Sequence, residues 1–423
     1  MHPALLVDEI LQLVFGFLSN LPGPATESRW TCAQLARCCK AWSNPALDWL
    51  WMHLRGMEPV LTVLRNCEDA APEDAASRVL HYTVRVRTIV HLRNPTVPDA
   101  LRNCTAIFPR LESVVLFSQG CMVPYALASS PSLRQVTIST AFPPRMGSID
   151  ALIERSDAAA LFLQCARMQA PDIQLLRIRG RVSAKLNEVI VSYTHLRSLS
   201  VHATSFRIMT FATVATFPCL ETLDLSVFLR ADEIQSRIQP SSANFPALRD
   251  FTIRAYGPVV EAILVRLPIG VLTKLYLELE SCLEGPAYMA DVFERLVEKT
   301  SDSLRELSVK DRTDRDNLQS CGITQWYDLN LLRPLARLKQ LRRFTLQNPD
   351  LSDDNLRALA QWWPTLEHLD LGTYDPHAEV SEWKSRLTPA AHSIAASSFP
   401  RLSSIALPVA LPLPNLSAHD QLE

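Results

Sequence analysis

Residues 35–51 read LARCCKAWSNPALDWLW, which puts two adjacent cysteines and three tryptophans in one short run. The whole chain of 423 residues has only ten Cys and eight Trp. A zinc site needs four converging ligands, usually delivered as short-spaced pairs. The chain has no C-x-x-C, and no histidine stands at ligand spacing near Cys38 and Cys39. These cysteines read instead as small apolar side chains. A second candidate is His202 with Asp224, which strand pairing could bring together. Without a nucleophile beside it, such a pair is an ion pair rather than part of a triad, and His195 and His368 have the same standing. Asp353 and Asp354 follow Ser352, as expected of a capped helix start rather than a metal site. No G-x-G-x-x-G, P-loop, G-x-S-x-G or H-E-x-x-H pattern occurs, and eleven glycines leave little for phosphate-cradling loops. The sequence predicts no catalytic residue, no metal and no cofactor.

Bulk composition fits that reading. At 48% hydrophobic and 20% charged the chain can bury a large core. A net charge of −2 gives no reason to expect nucleic acid or an anionic membrane as partner. The opening MHPALLVDEILQLVFGFLSN carries Asp8 and Glu9, no preceding Lys or Arg and no small-residue cleavage site, so it is a poor signal peptide and too short to span a bilayer. The expected setting is cytoplasm or nucleus, with reduced thiols.

The elements around the Cys/Trp run follow from spacing. In DEILQLVFGFL, Ile10, Val14, Phe17 and Leu18 share one helical face, which Leu11 and Phe15 widen. A Gly/Pro loop ends this helix. Thr31 and Gln34 have capping-box spacing, so a second helix is expected from Cys32 to about Trp42. Pro45 then opens a third short helix, ALDWLW. Three short helices cannot bury so many Leu, Phe and Trp against one another, so this face either docks on the rest of the chain or meets a partner.

Here the residues resemble the F-box family. Its pattern runs Leu-Pro-x-Glu-Ile/Leu-Leu-x-x-Ile-Phe-x-x-Leu, then Cys-Lys/Arg-x-Trp, then Leu-Trp. This chain supplies Leu6, Val7, Glu9, Ile10, Leu11, Val14, Phe15 and Leu18, then Cys39, Lys40 and Trp42, then Leu50 and Trp51. Val7 stands where the family has proline. The resemblance implies docking on the Skp-type adaptor of a cullin–RING ubiquitin ligase through Leu6, Val7, Ile10, Leu11, Val14, Phe15, Leu18, Trp42, Leu50 and Trp51.

The remainder carries a repeat. A six-residue frame, apolar at positions 1, 4 and 6, begins at Leu111, Leu133, Ile173, Leu196, Leu220, Leu248, Leu272, Leu304, Leu341, Leu366 and Leu402, with a weaker copy at Val86. A frame this loose arises roughly ten times by chance in so apolar a chain. The flanks are more telling: seven copies follow x-Pro-x, and most open Leu-Arg or Leu-Glu. Proline cannot join a ladder but can end a helix and set an extended entry to a strand. Amphipathic stretches between copies, such as MADVFERLVEKT and SDDNLRALAQWW, predict strands alternating with helices and hence parallel pairing. The gap from 139 to 173 predicts a degenerate repeat or an extra helix. The pattern resembles irregular leucine-rich repeats of the kind found in fungal F-box proteins.

The expected architecture is α/β: a three-helix F-box module over 1–55, a linker or bridging helix over 56–80, a curved parallel-strand solenoid over 81–408 and a flexible tail over 409–423. Positions 3, 5 and 7 of each copy would line a concave face suited to an extended protein target. The candidates are Arg177, Arg179, His202, Asp224, Arg254, Tyr276, Glu278, Lys310, Arg343 and His368. Two readings follow: a substrate receptor of a cullin–RING ligase, or a repeat scaffold with an N-terminal helical cap and no ligase link.

Overall fold

The computed structural model describes residues 7–20, 25–67, 71–91, 107–117, 127, 129–140, 148–241, 243–280, 288–311, 327–347, 349–373 and 385–409. Leu6, the Leu18 side chain and residues 410–423 of the expected tail lie outside them. The chain divides into two compact units, Met1–Leu196 with Ala203–Ser205, and Arg197–His202 with Phe206–Glu423.

The first unit opens with α1 (Asp8–Asn20), α2 (Ala25–Cys38) and α3 (Lys40–Met52). Both later helices depart from the sequence expectation. Helix α2 starts seven residues before Cys32, because ATESRW supplies the helix formers Ala, Glu and Arg. The Thr31/Gln34 spacing therefore falls inside a helix rather than at its start. Cys39 adopts an extended backbone and breaks the run. Helix α3 then begins at Lys40, which leaves Pro45 within it, unable to supply a helical bond to residue 41. Over 56–80 lie the helices Glu58–Arg65 and Pro72–Thr83.

Parallel strands follow in chain order: β1 (His53–Leu54), β2 (Thr88–His91), β3 (Ser113–Phe117), β4 (Gln135–Ser139) and β5 (Leu175–Arg181). The 139-to-173 gap holds a 21-residue helix, Ile149–Gln169, capped by the Ser148 side chain, which accepts from the Ala151 N–H at 3.2 Å.

In the second unit the ladder comprises β6 (Ser198–Thr204, of which 198–202 belong here), β7 (Thr222–Val227), β8 (Asp250–Ala255), β9 (Lys274–Leu279) and β10 (Glu306–Asp311). A separate two-stranded pair, β11 (Tyr327–Asp328) with β13 (Pro349–Asp350), interrupts the order. The ladder resumes with β12 (Arg343–Leu346), β14 (His368–Asp370) and β15 (Ser404–Ala406).

Every frame copy becomes a strand that starts at its position 3. From Leu111 to Leu366, all apolar positions 1, 4 and 6 are buried; in the last copy Leu402 and Ile405 are only half-buried. Pairing is in register, position against position: Asp250 with Lys274, Lys274 with Glu306, Glu306 with Arg343. Between successive frame copies within each unit, the N–H groups of positions 2 and 3 both donate to the position-2 carbonyl of the preceding copy, as Arg305 and Glu306 do to Thr273 at 2.8 and 3.2 Å. This repeated fork fixes the register.

The prolines act differently from expectation. In FPRL, SPSL, FPAL and WPTL the position-1 N–H donates to the carbonyl of the residue before proline, as Leu248 to Phe245 at 3.2 Å and Leu366 to Trp363 at 3.1 Å. Proline thus sits at the second position of a tight turn, where its fixed φ is preset. The residue before it is buried in all seven copies: Phe108, Ser130, Ala170, Phe217, Phe245, Trp363 and Phe399. The motif is a turn that plugs the core, not merely a strand entry.

Candidate functional site

The N-terminal helices divide their apolar residues between a core and a surface. Leu11, Phe15, Cys32 and Ala46 are buried together, with Leu35, Ala36, Trp42, Trp49 and Leu50 packed against them. Gly16 lets the Trp49 ring approach α1; a Cβ there would lie 3.4 Å from that ring. The Trp49 indole N–H donates to Gln12 Oε1 at 3.0 Å. Trp51 is buried and stacks on Tyr82 with centroids 4.8 Å apart. Arg85, just past the helix Pro72–Thr83, ties that helix to α3 through Asp48 and, at 3.0 Å, the Asn44 side chain.

Of the expected adaptor contacts, Leu11 and Phe15 are therefore buried in the core of the helical bundle and Trp51 is buried against Tyr82. Trp42 and Leu50 are half-buried. The rest of α1's surface is open: Ile10, Leu13, Val14 and Phe17, with Val7 just before the helix, are all exposed, Leu13 by 65% and Phe17 by 74%. Trp30 on α2 is exposed as well. Leu13 and Trp30 escaped the sequence reading, although Leu13 follows Ile10 at helical spacing.

Cys38 is exposed and its thiol donates to the Gln34 carbonyl. Among the described residues no group of three His, Cys, Asp or Glu side chains is placed to hold a metal. Nor is any helix there long and apolar enough to cross a membrane.

On the sheets, the side chains expected to point outward do so. In the first unit Arg177 and Arg179 alternate with buried Leu176 and Ile178 along β5. In the second unit His202 Nε2 lies 2.8 Å from Asp224 Oδ2, as the sequence anticipated. The Ser200 hydroxyl donates to the same oxygen at 2.8 Å. Both groups thus converge on one carboxylate. The serine proton is held by Asp224 rather than by the imidazole, so the trio lacks the relay a nucleophilic serine needs. Further along, Arg254 meets Glu280 at 3.1 Å. Lys310 stands beside Glu278 in the ladder, and His368 beside Arg343.

The densest cluster centres on Glu306. The Tyr276 hydroxyl donates to Glu306 Oε2 at 2.8 Å, while Lys274 Nζ and Arg343 Nε lie 3.6 and 3.9 Å from Oε1. Burial and the Glu306 carboxylate push the Tyr276 phenol up to about 12, so it stays a donor at neutral pH. Asp250, on the neighbouring strand, is raised by burial; Lys274 opposes this, while Glu306 and Asp224 add to it.

The sign for stability is direct. A raised carboxyl binds more protons in the native state than in the unfolded one, so its ionisation costs stability as pH rises above about 4 and the full cost is present at neutral pH. Asp250→Asn is expected to melt above the wild type at pH 7 and to lose that advantage below pH about 4. Equal melting temperatures at both pH values would refute it.

Two clefts border this face in the second unit. One, at the carboxyl ends of the strands, is apolar, with exposed Phe228 and Tyr256 over Leu229, Pro258 and Val259. The other, of about 410 Å³, lies at the amino ends and is framed by Arg249, Lys274, Arg305, Arg342 and Arg343 with Glu306 and Glu367. The arginines at position 2 were visible in the sequence as the Leu-Arg openings, but only the fold aligns them.

No family model and no curated protein matches the chain. Solved structures do. The internalin InlF of Listeria monocytogenes is similar at 12% identity over 79% of this chain and 89% of its own, with a TM-score of 0.35. TLR13, from its complex with ssRNA13, is similar at 14% identity over 71% of this chain, with the same TM-score. The match spans 40% of the TLR13 chain. The leucine-rich-repeat-like fold rests on the ladder itself: in-register parallel strands, each with its frame buried at positions 1, 4 and 6.

Proposed function

We propose that the chain is a non-catalytic substrate receptor: its N-terminal helices dock on a Skp-type adaptor, and through it a cullin–RING ligase, while the sheet binds a protein target. The observation that carries this is the open surface at α1, where five apolar side chains from Val7 to Phe17 lie exposed beside a closed core. Exposed apolar patches on such a surface mark interaction sites, and these positions include motif residues of the resembling family. In this role the chain contributes proximity, and ubiquitin transfer belongs to other subunits.

A second reading keeps the repeat scaffold without the ligase. It is favoured by the burial of Trp51 against Tyr82, which makes the Leu-Trp end of the motif part of the unit's own core.

Capture of the full chain by purified Skp-type adaptor separates them. Phe17→Asp is expected to abolish capture with an unchanged circular dichroism spectrum, since the side chain already faces solvent. Leu11→Asp would not serve, because it would charge the core. Failure of the folded wild type to bind would leave the scaffold reading standing.

A further inference from the structure

The cleft at the amino ends of the second unit's strands gathers more cations than carboxylates: Arg249, Lys274, Arg305, Arg342 and Arg343 against Glu306 and Glu367. Arg249, Arg305 and Arg342 occupy position 2 of their copies, one residue ahead of β8, β10 and β12. The backbone fork holds them in line: the N–H of Lys274 donates to the Arg249 carbonyl at 2.9 Å and that of Arg342 to the Arg305 carbonyl at 2.8 Å. Elsewhere along this row an arginine meets a glutamate of the next copy, as Arg197 meets Glu221 at 2.9 Å and Arg342 meets Glu367 at 3.3 Å. Between those pairs, Thr273 follows Arg249 and Arg342 follows Arg305, so the alternation fails. Arg249 and Arg305 are exposed, and among the described residues their side chains make no hydrogen bond or ion pair. Lys274 and Arg343 share Glu306 at long range.

We propose that this cleft binds an acidic peptide segment of the partner protein, with Asp or Glu carboxylates seated between the guanidinium groups of Arg249, Arg305 and Arg342. The proposal rests on the reading that the sheet binds a protein target, and does not depend on the adaptor. A guanidinium receives a carboxylate through paired N–H donors. Glu306 and Glu367 on the same cleft disfavour a continuous phosphate backbone, whereas discrete carboxylates can alternate with them. Glu306 also sets a limit, because it competes for Lys274 and Arg343.

The test is fluorescence anisotropy of a labelled oligo-glutamate peptide titrated with the full chain in the absence of adaptor. Wild type is expected to bind saturably, more weakly at high salt. Arg249→Glu with Arg305→Glu should weaken binding by about tenfold or more, and Arg237→Glu, exposed on a helix outside the cleft, should not. Glu306→Gln should tighten it. No saturable binding by wild type, equal binding by the folded double variant, or tighter binding of an oligothymidine strand than of the peptide would each overturn the proposal. Adaptor docking is read in a separate capture assay, so neither failure masks the other.

Discussion

Trp363→Ala is expected to remove about 4 kcal/mol from the stability of the second unit, the middle of the range for truncating a buried aromatic. Trp363 is fully buried and is the largest fully enclosed side chain among the described residues. Its ring lies 4.7 Å from Phe344 and 6.0 Å from Trp362, centroid to centroid. Its indole N–H donates to the Leu335 carbonyl at 3.0 Å, and its own carbonyl closes the turn onto Leu366. Truncation would therefore open a cavity, remove one of the two donors to the Leu335 carbonyl, which keeps the Leu338 N–H at 3.0 Å, and loosen the entry to β14 together. Trp363→Phe should restore most of the packing and leave a deficit of about 1 kcal/mol from the lost indole hydrogen bond. Urea unfolding of the two variants reads the difference. A Trp363→Ala midpoint near that of wild type would mean the repeat tolerates loss of its plug.

The second large effect is expected at Arg266, a buried guanidinium with no carboxylate among its hydrogen-bond partners. It donates to the Ile238 carbonyl, to Ala262 O at 2.7 Å and to Gln235 O at 3.2 Å. Gln235 and Ile238 belong to the last turn and cap of the helix Ala231–Arg237, where unpaired carbonyls and the negative dipole end favour a cation. Burial lowers its pKa, yet a guanidinium stays charged. Arg266→Met keeps the volume but takes a donor from three carbonyls, two of them in buried contacts, at a cost of about 3 kcal/mol. Arg266→Lys should recover only part of this, because one ammonium cannot span three carbonyls that the planar fork reaches. If methionine proves as stable as arginine in urea, the site is a packing position and its hydrogen bonds are incidental.

These positions show what was legible in the sequence. The frame was readable because burial enforces it residue by residue: a polar side chain at position 4 or 6 would be driven into the core. Strand starts, parallel order and the helices 149–169, 289–300 and 353–362 follow from that pattern. The role of Pro in FPxL was misread, since strand entry and turn formation demand the same residue. The third helix was misplaced because Pro45 resembles a helix start. Leu11, Phe15 and Trp51 read as partner surface through the family resemblance, and a motif marks apolar positions without saying whether the chain itself covers them. Arg266 carried no signal, as a lone arginine after VVEAILV looks like any exposed one. The row of position-2 arginines was visible only as a habit of spelling; the fold turns it into a cleft.

The in-register ladder has a metrical consequence. Its rungs repeat every 4.8 Å or so, whereas an extended peptide laid across them presents same-side residues about every 6.8 Å. Two scales with those divisions coincide after three rungs and two peptide steps, at about 14 Å. From Arg249 on the first copy to Arg342 on the fourth is three such rungs. The sheet thus works like a vernier: an extended guest can be matched at its two ends and must slip out of phase between them. Recognition would come in short words separated by unread letters, and two acidic residues four apart in a target would count for more than an unbroken acidic run.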